Sequence, residues 1–240
     1  MEIDRKYTVL VTGANSDIGV EVCRYFLNRG NDVIAMVHTS HNNLDGIIDD
    51  HLKIIKLDFS NHKNIEDFIL VNKELLDDVD IFISLSSIRK SVQYGNIDSV
   101  DLITHFTVNV IPVVLLVQYL GNSMSNKGWG RIVIGSSIGV KFGGGNDTYC
   151  YSLTKYATEL IPKVAQQWAG HGVLTNIVRI GVTDTKSFRK IGLDSIHKRV
   201  ELVPMRRLAD PVEISQTICW LGSRENSYIT GEVLAVSGGE

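Results

Sequence analysis

The sequence contains little cysteine, little proline and no block of like charge, and each scarcity excludes a class of protein. The three cysteines among 240 residues, Cys23, Cys150 and Cys219, are odd in number and lack metal-ligand spacing. They predict free thiols in a reducing compartment, and we expect neither a disulfide framework nor a metal site. The four prolines mark no linker, and no internal repeat is visible. We therefore expect one domain over residues 1–240.

Charge and hydropathy exclude further classes. The 24 basic and 27 acidic residues leave a formal charge of −3, so nothing predicts binding to nucleic acid or to an anionic membrane. The N-terminus has no export signal, and no apolar run predicts a membrane span. The hydrophobic content of 44% is enough for a sizeable core. We expect a cytoplasmic protein whose partner is a small molecule.

What the sequence does contain is a regular alternation of short apolar strands with longer helical patterns. Helical periodicity covers 18–29, 61–76, 98–124, 149–169 and 210–222, and strands are predicted at 7–11, 33–37, 52–57, 80–85, 131–135, 174–180 and 233–236. This order predicts an α/β fold: a doubly wound, seven-stranded parallel Rossmann-like sheet with helices on both faces. Segment 181–206 has no strand periodicity, follows the sixth strand and is a candidate substrate lid.

The turn after the first strand, TGANSDIG, has the features of a phosphate-binding loop. Gly13 and Gly19 allow the backbone to turn sharply and to approach a pyrophosphate at a helix N-terminus. A tight strand-to-helix turn without a ligand explains two glycines equally well. Asp17 lies in this turn, where a carboxylate can cap the helix and complement its dipole instead of touching phosphate.

A second pattern, YCYSLTKYATEL, places Tyr151 and Lys155 four residues apart, on one face of a helix. The unperturbed pKa of tyrosine is about 10, and a neighbouring cation stabilises the phenolate, so the pair can form a tuned acid and base. Chance neighbours on an exposed helix are the alternative. The preceding strand RIVIGSS and the connection GVKFGGGND favour the catalytic interpretation.

Together these motifs resemble the short-chain dehydrogenase/reductase family, in its ordinary-length, classical branch, over residues 8–239. Thr12, Gly13 and Gly19 match the family's phosphate turn TGxxxGxG, and Tyr151 and Lys155 match its Tyr-x-x-x-Lys. Asn109 matches the asparagine that the family carries on a helix. The family's N-x-x-x-P-G-x-x-x-T is matched in part, by Asn176, Gly181 and Thr185. Three positions depart from the pattern. Asp17 replaces the middle glycine, Ile180 replaces the proline, and Ser84-Leu85-Ser86-Ser87 replaces N-N-A-G.

The resemblance implies an NAD(P)-dependent oxidoreductase that transfers a hydride between the nicotinamide and a carbonyl or alcohol carbon, acting as a reductase. Ser137 would hold the carbonyl oxygen, Tyr151 would donate the proton, and Lys155 would lower the tyrosine pKa and hold the nicotinamide ribose. The strand register favours Ser137, whereas the S-x-x-G spacing selects Ser136. Asn109 would position a water, and the alternative for it is a helix kink or a satisfied core amide.

The cofactor is expected to be NADP(H), with NAD(H) as the alternative. The second strand ends at Val37, where an acidic residue would select NAD by repelling a 2′-phosphate, and His38, Thr39 and Ser40 can donate to that phosphate. The residues expected to bind the cofactor are Gly13, Asn15, Ser16, Asp17, Ile18, Gly19, His38, Thr39, Asp58, Phe59, Ser86, Tyr151, Lys155, Gly181, Thr183 and Thr185.

Several alternatives stay open at this level. The altered Ser84–Ser87 segment and Asp17 also fit a cofactor-binding regulatory or assembly subunit without turnover, and a reductase of a sugar or nucleotide-linked sugar fits as well. Basic residues in the candidate lid suggest an anionic substrate or simply a solvated helix: Arg189, Lys190, His197, Lys198 and Arg199. The family resemblance further implies a homo-oligomer, a tetramer or a dimer.

Overall fold

A computed structural model describes residues 5–190 and 192–240 and contains the predicted seven-stranded parallel sheet. Each strand lies within a residue or two of its predicted position. The strands are β1 (Thr8–Thr12), β2 (Asp32–Val37), β3 (Leu52–Lys56), β4 (Ile81–Ser84), β5 (Gly130–Ser137), β6 (Val173–Ile180) and β7 (Val233–Val236). The fold class predicted from strand-helix alternation is therefore confirmed.

The strand order places a binding crevice at the middle of the sheet. The order is β3-β2-β1-β4-β5-β6-β7, so the winding reverses between β1 and β4. These two strands pair in parallel from Val9 with Ile81 to Thr12 with Ser84. In open α/β sheets the ligand crevice lies outside the carboxyl ends of the strands at this reversal. The segments beginning at Gly13 and Leu85 therefore border it.

Helices cover both faces of the sheet, as the uninterrupted apolar strands require. They are α1 (Asp17–Leu27), α2 (His62–Val71), α3 (Lys73–Asp77), α4 (Ser99–Asn109), α5 (Ile111–Lys127), α6 (Tyr149–Thr158), α7 (Ile161–Ala165), α8 (Lys186–Arg189), α9 (Leu193–Leu202) and α10 (Pro211–Leu221). On one face the core is built around α1 and α10, and on the other around α2 and α5. Val9, Leu10 and Val11 of β1 are fully buried between them.

Three helices predicted as continuous are broken in the structure. Residues 98–124 divide into α4 and α5 at Val110, because Pro112 has no N–H to continue the hydrogen-bond ladder. Residues 149–169 divide into α6, α7 with Pro162 in its first turn, and a 3₁₀ segment, Gln166–His171. Residues 61–76 divide at Asn72, whose backbone leaves the helical region. Proline explains the first two breaks.

One segment differs from the expectation that no apolar run predicts a membrane span. The combined stretch Ser99–Lys127 is long and apolar enough to cross a membrane by length and composition alone. Its apolar residues have another use in this fold, because Leu116, Val117, Leu120 and Met124 are buried against the sheet. The stretch is a pair of helices that cover the core.

The candidate lid, 181–206, contains two helices after β6. They are α8, capped by the side chain of Thr185, and α9, which begins after Gly192. Ile191 lies outside the described residues. The segment re-enters the body of the protein at Val203, which is buried, and Met205, whose N–H donates to the Gly238 carbonyl. Both ends of the lid are thus attached to the sheet.

Candidate active site

The turn between β1 and α1 requires glycine at two positions. Gly13 has φ +69°, and a Cβ there would lie 2.7 Å from the backbone of Leu85 and Ser86. A Cβ on Gly19 would lie 2.4 Å from the Gly13 carbonyl oxygen. Neither position can accept a side chain, so the first turn of α1 is held against the carboxyl end of β4. The helix N-terminus consequently faces the crevice, as a pyrophosphate site needs.

The role predicted for Asp17 as the helix cap is wrong. The cap is Ser16, whose hydroxyl accepts the Gly19 N–H at 3.0 Å and donates to the Gly13 carbonyl at 2.8 Å. Asp17 is the first residue of α1, and its Oδ2 accepts the backbone N–H of Lys186 at 2.7 Å. The carboxylate therefore links the phosphate turn to the start of α8 in the lid.

The predicted cofactor-binding residues divide between two adjoining clefts and the protein interior. The first cleft is lined by Asn15, Ser16, Asp17, Ile18 and Thr185, and the second by Gly13, Asn15, Ser16, His38, Thr39, Asp58, Phe59 and Ser86. The other predicted residues lie outside both linings: Gly19, Tyr151, Lys155, Gly181 and Thr183. Gly181 packs on the backbone of Ser237, and the buried Thr183 donates its hydroxyl to the Gly181 carbonyl at 2.9 Å. These two residues shape the base of the lid.

At the adenosine end of the second cleft, His38 and Asp58 form a pair. Nε2 of His38 lies 3.0 Å from Oδ1 of Asp58. Hydrogen bonds from the Ser60 backbone and hydroxyl, with His38 beside them, lower the pKa of Asp58. The carboxylate is thus ionised. The imidazole that the sequence offered as a donor to a 2′-phosphate therefore already has a hydrogen-bond partner in the protein.

The proposed catalytic hydroxyls lie together where β5 meets α6. Burial raises the pKa of Tyr151, and hydrogen bonding to Ser137, the charge of Arg89 and hydrogen bonding to Ser87 lower it in part. Ser136 points elsewhere. Its hydroxyl is buried and donates to Oε1 of Glu159 at 2.7 Å. Of the two serines that the sequence left open, Ser137 is the one beside the phenol.

Lys155 is buried one helical turn after Tyr151. Its ammonium donates to the Gly135 carbonyl at 2.8 Å, and burial lowers the lysine pKa to about 8. Nζ lies 5.9 Å from the centre of the Tyr151 ring. The sequence assigned the tuning of the tyrosine to this lysine. In the structure burial raises the pKa of the Tyr151 phenol, and the charge of Arg89 is among the causes that lower it in part.

Asn109 is fully buried at the end of α4 and satisfied by protein atoms. Its Oδ1 accepts the Ile88 N–H at 2.8 Å, and Nδ2 donates to the Ile88 carbonyl at 3.0 Å and to the Thr154 hydroxyl at 2.9 Å. Both N–H donors are therefore used within the protein. Of the two readings of this residue, the satisfied core amide describes its side chain, which fixes the loop after β4.

Sequence reasoning missed two residues of this site, Ser87 and Arg89. Ser87 lines the second cleft, and hydrogen bonding to it is among the causes that lower the pKa of Tyr151, so it lies between the cleft and the proposed acid. The signal was the departure from N-N-A-G at Ser84–Ser87. Three of the four changed residues, Leu85, Ser86 and Ser87, line the second cleft.

Comparisons with known proteins agree with this geometry. Residues 13–240 match the family described as Enoyl-(Acyl carrier protein) reductase. The chain is 30% identical over 249 residues to the 3-oxoacyl-[acyl-carrier-protein] reductase of Buchnera aphidicola subsp. Schizaphis graminum, covering 100% of this chain and 98% of that one. It is 28% identical to the acetoacetyl-CoA reductase of an Acinetobacter strain, covering 96% of each. A solved short chain dehydrogenase/reductase family protein superposes with a TM-score of 0.87 at 27% identity, covering 100% of this chain and 98% of that one.

Proposed function

The chain belongs to the classical short-chain dehydrogenase/reductase family and is an NAD(P)-dependent oxidoreductase, and we propose that it reduces a carbonyl group of a small substrate. The observation that carries the proposal is the meeting of Tyr151, Ser137 and the buried Lys155 next to Ser87, which lines the second cleft. We further propose one domain over 1–240 and a cytoplasmic location, in keeping with three buried free thiols.

The residues of the site fit a nicotinamide dinucleotide. The N-terminus of α1 offers backbone N–H groups to a pyrophosphate, and Asp58 and Phe59 line the far end of the cleft where an adenosine would lie. Lys155, whose ammonium donates to the Gly135 carbonyl at 2.8 Å, would hold the nicotinamide ribose. When bound, the nicotinamide supplies the hydride.

Side chains of the protein supply the proton that the reduction requires. Ser137 donates a hydrogen bond to the substrate carbonyl oxygen and orients it, while the Tyr151 hydroxyl donates its proton to the same oxygen as charge develops there. Because burial raises the phenol pKa, Tyr151 is protonated and ready to act as the acid at neutral pH. Lys155, with a pKa near 8, can return a proton to the phenolate after transfer.

We propose NADP(H) as the preferred cofactor, with NAD(H) as the second candidate. Val37 stands where an NAD-selecting acid would be, and Thr39 and Ser40 border the cleft as neutral donors. Asp58 opposes this preference, since its carboxylate contacts Nε2 of His38 at 3.0 Å and would repel a 2′-phosphate. We therefore expect only a modest preference. Fluorescence titration of NADPH and NADH at two pH values tests it, and tighter NADH binding at both would reverse the assignment.

We also propose a homotetramer, because two separate faces expose large apolar side chains. One face carries Val100, Ile103, Leu160 and Val164 from α4 to α7, and the other carries Trp220, Tyr228 and Val233 near the edge strand. Two distinct self-complementary faces generate a tetramer with twofold symmetry, and one face alone gives a dimer. Light scattering checks the state, and a 26.6 kDa particle at micromolar concentration would refute it.

The reaction is tested by following oxidation of NADPH and NADH with a panel of carbonyl compounds. Acetoacetyl-CoA and 3-oxoacyl thioesters enter the panel because the relatives named above act on them, and short keto acids and keto sugars represent the other classes. Oxidation of NADPH or NADH in the presence of at least one of these compounds supports the proposal. Tight cofactor binding with no oxidation across the panel would favour a subunit without turnover.

A further inference from the structure

The two segments that border the adenosine end of the second cleft contain no lysine or arginine. They are the phosphate turn, 12–19, and the connection after β2, 38–51. A 2′-phosphate is anionic, and a basic side chain near the end of the second strand usually accommodates it. In this connection Nε2 of His38 already contacts Asp58 at 3.0 Å. A cation for a 2′-phosphate therefore has to come from another part of the fold.

The lid provides such a cation. Nζ of Lys186, the first residue of α8, donates a hydrogen bond to Oδ1 of Asn43 at 2.6 Å. Asn43 belongs to the connection after β2 and lies 143 positions earlier in the chain. The lysine side chain therefore extends from the lid to the loop beside the adenosine end of the cleft.

Asn43 is held against the phosphate turn by Asn15. Its backbone N–H donates to Oδ1 of Asn15 at 3.0 Å, and its Nδ2 donates to the Asn15 carbonyl at 2.7 Å. Nδ2 of Asn15 donates to the Ser40 hydroxyl at 3.4 Å. The next residue, Leu44, is buried in the core and anchors the same turn. Two asparagines thus connect the ammonium of Lys186 to residues that line the second cleft.

The backbone of Lys186 is held in place, while its ammonium keeps donors for a ligand. The Lys186 N–H donates to Oδ2 of Asp17 at 2.7 Å, and the Thr185 hydroxyl accepts the Phe188 N–H at 3.1 Å. Within residues 5–190 and 192–240, the ammonium makes one hydrogen bond and no ion pair. An ammonium has more donors than this one bond uses, so the others are available to an anion.

The arginines of the lid are bound to acids of this same chain. Arg189 pairs with Asp184 at 2.6 Å, and Arg199 pairs with Glu240. Lys190 lines the first cleft together with Lys186, but no hydrogen bond among the described residues directs its ammonium to the connection after β2. Lys186 is thus the lid cation that the structure places at the adenosine end.

We propose that Lys186 binds the 2′-phosphate of NADP(H), so that the lid selects the cofactor. The inference rests on the proposed preference for NADP(H) and assigns that preference to one residue. An exposed lysine is a flexible point charge without the fork of a guanidinium, which agrees with a modest preference. Because the lysine belongs to the lid, the same contact also ties the lid to the bound cofactor.

The test compares NADPH with NADH by fluorescence titration. In Lys186→Met, Kd for NADPH should rise about three- to tenfold, between the effect of losing an exposed ion pair and that of losing a charge-assisted hydrogen bond, while Kd for NADH should change less than about twofold. High salt should reduce the difference, because the site is exposed. Lys186→Arg should keep the preference, because it keeps the charge. Lys198→Met, an exposed lysine of the same lid outside both cleft linings, is the matched control and should alter neither Kd.

Calorimetry with two fragments of the cofactor distinguishes its phosphates. Lys186→Met should weaken the binding of adenosine 2′,5′-bisphosphate and leave that of adenosine 5′-monophosphate unchanged. Equal losses with both fragments, or a larger loss in Lys190→Met, would overturn the assignment. A preference for NADPH that Lys186→Met does not change would reject the lysine and leave the proposed cofactor and reductase standing. Tighter NADH binding by the wild type, with the loss for NADPH in Lys186→Met retained, would reject the preferred cofactor and uphold the lysine.

Discussion

The loop and helices around Tyr151 and the lid over the cleft are held by opposite kinds of interaction. Around the tyrosine, fully buried side chains such as Asn109, His105 and Thr154 hold backbone groups in place. The part of the lid around α8 is held by exposed contacts, among them the Lys186 N–H with Asp17 and Asp184 with Arg189, whose side chains are 40% and 63% exposed. We call the first region the frame and the second the lid.

This contrast follows from what each region has to do. Proton transfer requires hydrogen-bond distances between the acid and the substrate, so the acid must be held in a fixed position. A buried polar group that loses its partner costs free energy, and this cost keeps the surrounding backbone in place. Exposed ion pairs contribute about 0–1 kcal/mol each, so the contacts around α8 can separate at little cost in free energy. Buried hydrogen bonds thus hold the proposed acid in position, and exposed contacts at the lid allow ligands to reach the cleft.

The largest effect should come from the frame's acid itself. Tyr151→Phe preserves the ring and removes the proton donor, so kcat should fall by about two to four orders of magnitude while NADPH binding changes little. Steady-state kinetics on a substrate found in the panel and a fluorescence titration measure the two quantities. More than about a tenth of the wild-type rate would show that another group donates the proton.

Substitution of the two adjacent serines, Ser136 and Ser137, should affect kcat to different extents, although both residues belong to the frame. Ser137→Ala removes a donor to the carbonyl oxygen and should lower kcat by about 10²- to 10³-fold. Ser136→Ala removes only the bond to Glu159 and should cost about 1 kcal/mol of stability with nearly normal turnover. Kinetics and urea unfolding of both variants give the comparison, and the reverse ranking would assign the role to Ser136.

Removal of the Asn109 side-chain amide should destabilise the frame. Asn109→Ala removes the partner of both half-buried backbone groups of Ile88, so the free energy of unfolding should fall by about 1–3 kcal/mol, and kcat should fall with it. Asn72→Ala is the control, because Asn72 makes a single side-chain bond, to the Phe68 carbonyl at 2.9 Å. Urea unfolding measures both. Equal losses in the two variants would remove the distinction between frame and surface.

The smallest effect should come from the contact between the phosphate turn and the lid. Asp17→Asn keeps an acceptor for the Lys186 N–H and removes a negative charge beside the expected pyrophosphate, so NADPH should bind about two- to fivefold more tightly, as is typical of one exposed charge. Stability should change by less than about 1 kcal/mol. Titrations at low and high salt check this. Weaker binding in Asp17→Asn would mean that the carboxylate holds the cofactor.

The sequence by itself determined the fold and the identity of most site residues. Apolar runs separated by helical periodicity specify a parallel sheet, because strands buried on both faces must be apolar throughout. Gly13 and Gly19 were readable because only glycine fits so close to a neighbouring backbone. Tyr151 and Lys155 were readable because helical spacing places them on one face. All of these signals are local in the chain.

Only the tertiary structure decided the partners of the polar side chains. Asp17 reads as a helix cap, yet its carboxylate bonds an N–H that lies 169 positions along the chain. Ser136 and Ser137 are equivalent candidates until Glu159 engages the first and Tyr151 lies beside the second. Arg89 has no motif at all. Hydrogen bonds and charges act between segments that are distant in sequence, so no local sequence pattern predicts them. Helices and strands, in contrast, produce a periodic spacing of apolar residues that is visible in the sequence.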